Sequence, residues 1–383
     1  MQFLKKQFSI QNLELIHKLL FIVYVILAAV AIFQVLRSGG TDIFTIFRAS
    51  WHHFIHSKPL YALYPDVAMD YFLYSPMFPL LFSPFAILPV KTGLIIWLFF
   101  NSIFCYFVFS ALPLTLEKKI VFILLIAFDL LLNLQYTQTN PVVLALILLT
   151  WICVEKKQFL LASICIVLCF CIKSYGAIVA VVFLFEKNKL RIISYCLISF
   201  IALHLLSFIF ISPLQVVQYY KDWFEIISGA TILEKFSIYG IVQAFHFTKI
   251  TEFYILVTAF ILLIVFLVSY YLSGMNNRSY ILSFLLIWVV VFNRSAESPT
   301  YILAMAGVIL WYLNRPHSLY SSLLFWSTMF LASLFPIHVF AWLDTLRYQY
   351  YLKVILCLLV LTDILSYSLM QVKKNRKNLL VKK

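Results

Sequence analysis

Apolar runs long enough for a helix recur along the whole chain between short polar breaks, and this pattern leaves few folds open. They fall at 19–36, 93–112, 120–133, 141–154, 158–172, 176–186, 191–212, 251–272, 279–293, 299–313, 318–336 and 350–370. In hydrocarbon every backbone polar group must find a partner within the chain, so only helices and closed barrels cross a bilayer. Barrel strands alternate apolar and polar residues, whereas 253–268 is apolar on nearly every side. The expected fold is therefore an all-α polytopic membrane protein with about twelve transmembrane helices. Several runs are too short for a full crossing, which suits helices that are tilted, broken or packed around a cavity. With 64% of residues hydrophobic and 11% charged, no stretch has room for a sizeable soluble domain. The chain reads as one integral-membrane domain, 1–383, with no internal repeat.

The net charge of +14 would suggest nucleic acid in a soluble protein, but its placement argues otherwise. Basic residues cluster at Lys5, Lys6 and Lys18, at Lys118 and Lys119, at Lys156 and Lys157, at Lys187, Lys189 and Arg191, and in the tail at 371–383. They recur after every second span, the positive-inside pattern, so their partners are membrane lipids and not nucleic acid. Both termini are placed in the cytoplasm of a bacterial inner (plasma) membrane. No small-residue cleavage site follows the first run, which reads as a span and not a signal peptide. The outer side then receives a first loop at 37–92 and a second large loop at 213–250. Seven cysteines all fall in apolar runs, and Cys165 and Cys169 share a helix face with no histidine or acid nearby, so they read as small buried hydrophobes.

Sorting the loops by side separates two kinds of residue. Inward loops are short and basic; outward ones carry Thr41 and Asp42, Gln138 to Asn140, Lys173 to Tyr175, Ser237 to Tyr239, and Asn293 to Glu297. The segment 43–57 is amphipathic at 100° per residue: Ile43, Phe47, Trp51 and Phe54 share one face, Thr45, Arg48, His52 and His56 the other. It reads as an interfacial helix with its apolar side in lipid or against the bundle. Asp42 stands at the border of the polar face, placed either to cap the helix or, with Arg48 and His52, to take a proton from a hydroxyl. Pro76, Pro79, Pro84 and Pro89 break the following stretch into short pieces that dip into the membrane without crossing it. His52, His53 and His56 have metal-like spacing without a partner glutamate, so no metal is expected. Asp129 lies inside a run, where an acid is either functional or paired with a neighbouring helix. Lys173 and Arg294 end their runs as anchors or as contacts to a phosphate. Gln138 and Asn140 can bond a sugar or a helix end.

In order, Thr41-Asp-Ile-Phe-Thr-Ile-Phe-Arg-Ala, Pro59-Leu-Tyr61, Tyr74-Ser-Pro76, Leu81-Phe-Ser-Pro-Phe-Ala-Ile-Leu-Pro89, Gln138-Thr-Asn140, Lys173-Ser-Tyr175, Phe236-Ser-Ile-Tyr239 and Glu297-Ser-Pro-Thr-Tyr301 resemble glycosyltransferase family 87. The resemblance runs from Thr41 to Leu310. It implies a GT-C-like bundle and an integral-membrane glycosyltransferase, mannosyltransferase-like, that inverts a sugar carried on a polyprenyl phosphate on the extracytoplasmic face. It maps the catalytic acid onto Asp42. Two stretches depart from the family: Ser174, Tyr175 and Gly176 follow Lys173 where a proline is usual, and Ala296 and Glu297 stand where a histidine is common.

The expected function is thus hexosyl transfer from a polyprenyl-phosphate sugar donor to a lipid-linked or glycan acceptor, without cofactor or metal. Asp42 is the expected catalytic base; Arg48, His52, Tyr74, Asp129, Gln138, Asn140, Lys173, Arg294 and Glu297 are expected to meet substrate. The competing readings are a lipid or sugar transporter or flippase, which would pair charges near mid-bilayer, and a non-catalytic partner in envelope assembly, which would tolerate loss of Asp42.

Overall fold

The computed structural model describes residues 10–229, 236–246, 250–334, 342, 345–346 and 350–381, with side chains as far as 376. Lys5, Lys6, the end of the basic tail, residues 335–336 of one expected span and parts of the 213–250 loop lie outside the described residues. Helix accounts for 79% of the described residues, and no strand occurs among them. The helices are α1 (Ile10–Ser38), α2 (Asp42–Ile55), α3 (Phe78–Ala86), α4 (Val90–Ser110), α5 (Leu116–Gln135), α6 (Asn140–Glu155), α7 (Phe159–Ile172), α8 (Lys189–Ser207), α9 (Pro213–Gly229), α10 (Ile238–Ala244), α11 (Glu252–Ser273), α12 (Arg278–Val291), α13 (Tyr301–Asn314), α14 (Leu319–Met329) and α15 (Leu352–Val381). A 3₁₀ stretch, Ser174–Phe185, follows α7, and a π turn, Phe330–Leu334, follows α14.

Five helices, α1, α4, α8, α11 and α15, are long and apolar enough to cross a membrane. The 29 residues of α1 span about 43 Å, more than a hydrocarbon core of about 30 Å. Many large apolar side chains on these helices are exposed, among them Ile22, Ile26, Phe33, Leu197, Phe260 and Ile261, as lipid-facing surfaces require. The other expected spans are also helical among the described residues; most are shorter, while α5, with 20 residues, carries Glu117, Lys118, Lys119 and Asp129. Two of them, α6 and α13, are buried almost all round by neighbouring helices, which explains their even hydrophobicity. The run at 176–186 forms 3₁₀ helix, and α15 runs on through 371–381.

The chain divides into two compact units, 1–231 and 232–383. In the first, α1 packs on α4 and α5. The Tyr24 hydroxyl donates to the Ile123 carbonyl at 2.9 Å, Ser102 donates to the Tyr24 carbonyl at 2.7 Å, and Tyr106 donates to that of His17 at 2.9 Å. Two cross-links show how the loops of this unit sort. Lys157 pairs with the buried Glu186 at 3.1 Å, joining two loops expected inside. Lys173 donates to Asn140 at 2.8 Å, joining two loops expected outside. Since α7 separates Lys157 from Lys173, these links lie at opposite ends of it.

The second unit is centred on α12 and α13. A Cβ at Gly307 would lie 2.8 Å from the Ser283 carbonyl, so only glycine permits that helix separation. Gly93 plays the same part in the first unit, where a Cβ would lie 2.3 Å from the Phe85 carbonyl of α3. Gly93→Ala and Gly307→Ala are each expected to lower stability by about 1–3 kcal/mol, the usual cost of overpacking. Thermal unfolding of the detergent-solubilised variants measures this; unchanged midpoints would mean that the helices do not approach so closely.

Candidate functional site

Helix α2 builds one wall of the candidate site in the first unit. Its apolar face turns to protein: Phe47 contacts Tyr74, Phe78 and Phe82 with ring centroids 4.8, 4.9 and 5.2 Å away, Trp51 meets Phe210, and Phe54 meets Tyr219. Phe44, not Ile43, completes the buried face, its ring 5.7 Å from that of Phe82. The expected capping role of Asp42 is not observed. Thr41 occupies the N-cap without a side-chain bond, and Asp42 is the first helical residue, exposed, where a negative charge suits the helix dipole.

Asp42 lines a groove of about 1160 Å³ between α1 and the end of α5. Ile26, Ala29, Val30 and Phe33 form its apolar wall; Gln34, Arg37, Gln135 and Tyr136 surround its polar end with Asp42. The Gln135 amide donates to Gln34 at 2.7 Å.

Beyond Tyr136 the chain turns sharply. Thr137 adopts φ +51°, a region β-branched residues rarely enter, and the Trp97 indole donates to its carbonyl at 3.1 Å. That turn starts α6 at the fully buried Asn140. Asn140 Oδ1 accepts from Lys173 at 2.8 Å and from the Tyr175 hydroxyl at 3.1 Å, and its Nδ2 donates to Asn133 at 3.0 Å. Asn133 in turn donates to the Asp129 carbonyl at 2.8 Å, so both residues belong to one buried polar line that also crosses from α5 to α6. The Lys173 ammonium lies 5.3 Å over the Tyr74 ring and 5.9 Å from that of Tyr175, and Tyr74 contacts both Phe47 of α2 and the Thr139 hydroxyl. Of the expected residues, the structure thus joins Tyr74, Asn140 and Lys173, while Asp129, buried one turn before Asn133, touches this line through its backbone carbonyl. Gln138 is buried in the same turn.

Arg48 and His52 stay on the other face of α2, half-buried, with Arg48 Nε making no hydrogen bond. Burial lowers the pKa of His52, reinforced by Arg48 and His56; His53, whose ring lies 4.0 Å from Tyr64, is lowered by burial and then by Lys58 and His52. Among the described residues no three His, Cys, Asp or Glu side chains gather as metal ligands, His52, His53 and His56 included.

The second unit holds the remaining expected residues. Arg294 pairs with Glu252 at 3.2 Å, and Glu297 caps the short 3₁₀ turn Ser298–Thr300. Two buried charges there were missed. Lys353 donates to Ser298 at 2.9 Å and lies over the Phe236 and Tyr301 rings, and Asp363 binds both Arg315 and the Trp311 indole. Both stand inside the apolar run 350–370, and charges inside such a run are the signal that should have marked them.

The family model of glycosyltransferase family 87 matches residues 72–365, about three quarters of the chain. The match begins after Asp42, Arg48 and His52, and covers the Asn140–Lys173 cluster. No curated protein matches the chain.

Replacing Asn140 by Leu removes the acceptor shared by Lys173 and Tyr175 and should cost about 1.5–3 kcal/mol, as for a hydrogen bond to a charged group. In a double-mutant cycle with Lys173→Met the two changes should be strongly non-additive; additive losses would show that the bond does not hold the turn. His52 and His53 predict a pH dependence as well. Their folded pKa values lie below the ordinary 6.5, so below that pH the unfolded chain binds more protons. Stability from these groups is present above pH 6.5 and lost as pH falls through the folded values. The unfolding midpoint should fall on acidification, and less so in a His52→Gln, His53→Gln double variant; identical profiles would refute the assignment.

Proposed function

The chain belongs to glycosyltransferase family 87, and from that membership and the site geometry we propose that Asp42 is the general base of an inverting hexosyl transfer. The observation that carries the proposal is an exposed carboxylate at the polar end of an apolar groove. Asp42 takes the proton of an acceptor hydroxyl as its oxygen attacks the anomeric carbon of a polyprenyl-phosphate sugar. The bond from that carbon to the phosphate oxygen breaks, and the phosphate leaves with the electron pair. Lys173, held in place by Asn140, is the cation assigned to the departing phosphate, where fixed positive charge lowers the barrier most. Arg48 and His52 lie further along α2, about 9 and 15 Å from the base on the helix axis. The scheme draws on no metal or nucleotide, and mannose is the first sugar to test.

The same reading sets the orientation. The ends of the first unit carrying Asp42 and Lys173 face the extracytoplasmic side, with α2 lying at the interface of a multi-pass GT-C-like bundle of about twelve helices. The Lys157–Glu186 end faces the cytoplasm, in keeping with the basic loops around it.

Asparagine at position 42 keeps the size of the side chain but accepts no proton. Asp42→Asn should fold and bind donor as the parent does, while transfer from radiolabelled polyprenyl-phosphate mannose falls by about 10²–10⁴. A well-folded Asn variant with full activity would remove Asp42 from the chemistry.

A further inference from the structure

Tyr74, whose ring lies 5.3 Å from the Lys173 ammonium, stands between α2 and α3 with no helix to hold it. Its support comes from helix α9. Val216, Tyr219 and Trp223 recur at helical spacing on the buried face of α9, with Tyr220 beside them. Tyr219 donates to the Lys58 carbonyl at 2.8 Å, and the Trp223 indole donates to the Leu73 carbonyl at 3.1 Å. Tyr220 bonds Nε2 of His204 on α8 at 2.8 Å, and the hydroxyl of the fully buried Ser75 bonds the same phenol. Tyr61 donates to the Tyr74 carbonyl at 2.9 Å. Leu73, Tyr74 and Ser75 are thus each gripped by one side chain, and α9 supplies two of the three.

The Tyr220 link has a fixed direction. His204 Nδ1 lies 2.7 Å from the Phe200 carbonyl, which can only accept, so Nδ1 carries the proton and Nε2 of the neutral ring accepts. Tyr220 therefore donates to His204, and its oxygen accepts from Ser75. The bonds run one way, from Ser75 through Tyr220 and His204 to the α8 backbone, and the His204 ring stacks on that of Tyr220 with centroids 5.6 Å apart. Burial pushes the pKa of the Tyr220 phenol above its ordinary 10, so it stays protonated and donating at neutral pH. Cys171, two residues before Lys173, lies within electrostatic reach of the same phenol.

We propose that Tyr220 is a positioning residue for the phosphate: held by His204, it fixes Ser75 and so keeps the Tyr74 ring against the Lys173 ammonium. The inference rests on Lys173 as the cation that meets the departing phosphate, and gives that cation a support outside its own helix. Asn140 sets one side of Lys173 and Tyr74 another. A ring carried on a loop keeps its place only when the backbone around it is tied, and the bonds at Leu73, Tyr74 and Ser75 tie it. A cation that is already in place when the phosphate leaves lowers the barrier more than one that must first be arranged.

Binding of polyprenyl phosphate to the purified full chain, compared with binding of the uncharged polyprenol of equal length, tests the proposal. The ratio of the two affinities reads the phosphate contact, since loss of folded protein or of contacts to the tail affects both ligands alike. Lys173→Met should lower that ratio about 10–100-fold, as for a lost bond to a charged group. Tyr220→Phe keeps the ring, removes the hydroxyl and should lower the ratio about three- to ten-fold. His204→Leu should match it, and His204→Gln, which keeps an acceptor for the phenol, should restore most of the ratio. Tyr219→Phe loses a comparable bond from the same helix and should leave the ratio unchanged, whereas a purely structural role for α9 predicts that the two phenols behave alike. In the Lys173→Met background, Tyr220→Phe should cause no further loss. A parental ratio in Tyr220→Phe, an equal loss in Tyr219→Phe, or full additivity with Lys173→Met would overturn the positioning role. The reading beneath it fails differently: a parental ratio in Lys173→Met would remove both Lys173 and Tyr220 from the phosphate. A loss in Lys173→Met beside a parental Tyr220→Phe would strike out Tyr220 alone.

Discussion

A chain solvated by hydrocarbon has to satisfy its backbone within itself, and most of this structure follows from that constraint. Helices meet it at every position except their ends, where carbonyl and amide groups lack intrahelical partners. Polar side chains therefore have a place at helix ends that they lack elsewhere. In the first unit they gather at two such places. The Lys157–Glu186 pair closes one end of α7, and the Lys173–Asn140 bond closes the other. The chemistry assigned to this protein sits where the fold already has to tolerate polar atoms.

The Asn140 cluster shows what such an end can hold. Asn140 holds the Lys173 ammonium by a hydrogen bond, and the Tyr74 and Tyr175 rings flank it. The turn that presents Asn140 stores strain at Thr137, whose positive φ is held by the Trp97 indole and by the packing of α4 against α6. In the second unit Arg294 faces Glu252 and Arg315 faces Asp363, pairs in which each charge meets one of opposite sign.

Helix α2 shows how far periodicity carries. Its apolar and polar faces were legible because spacing at 3.6 residues depends on the sequence alone. Its partner was not legible. The apolar face was expected in lipid or against the bundle, and it is covered by the aromatic rings of α3 and its flanking loop. Capping failed for a related reason: whether Asp42 stands just before the first turn or within it depends on where the preceding Gly39–Gly40 turn releases the chain.

Helix existence and the membrane class were determined by the order of apolar and charged residues, because burial in lipid acts residue by residue. Which short runs are core helices, and which charges meet, was decided only in three dimensions. Runs such as 141–154 and 299–313 are apolar all round, and the structure surrounds each of them with other helices, an environment that calls for the same pattern as lipid does. Lys353 and Ser298, 55 residues apart, and Lys173 and Asn140, 33 apart, carry no local signal of their pairing. A hydrogen bond is selected by distance in space, and only packing brings such distant residues within its reach.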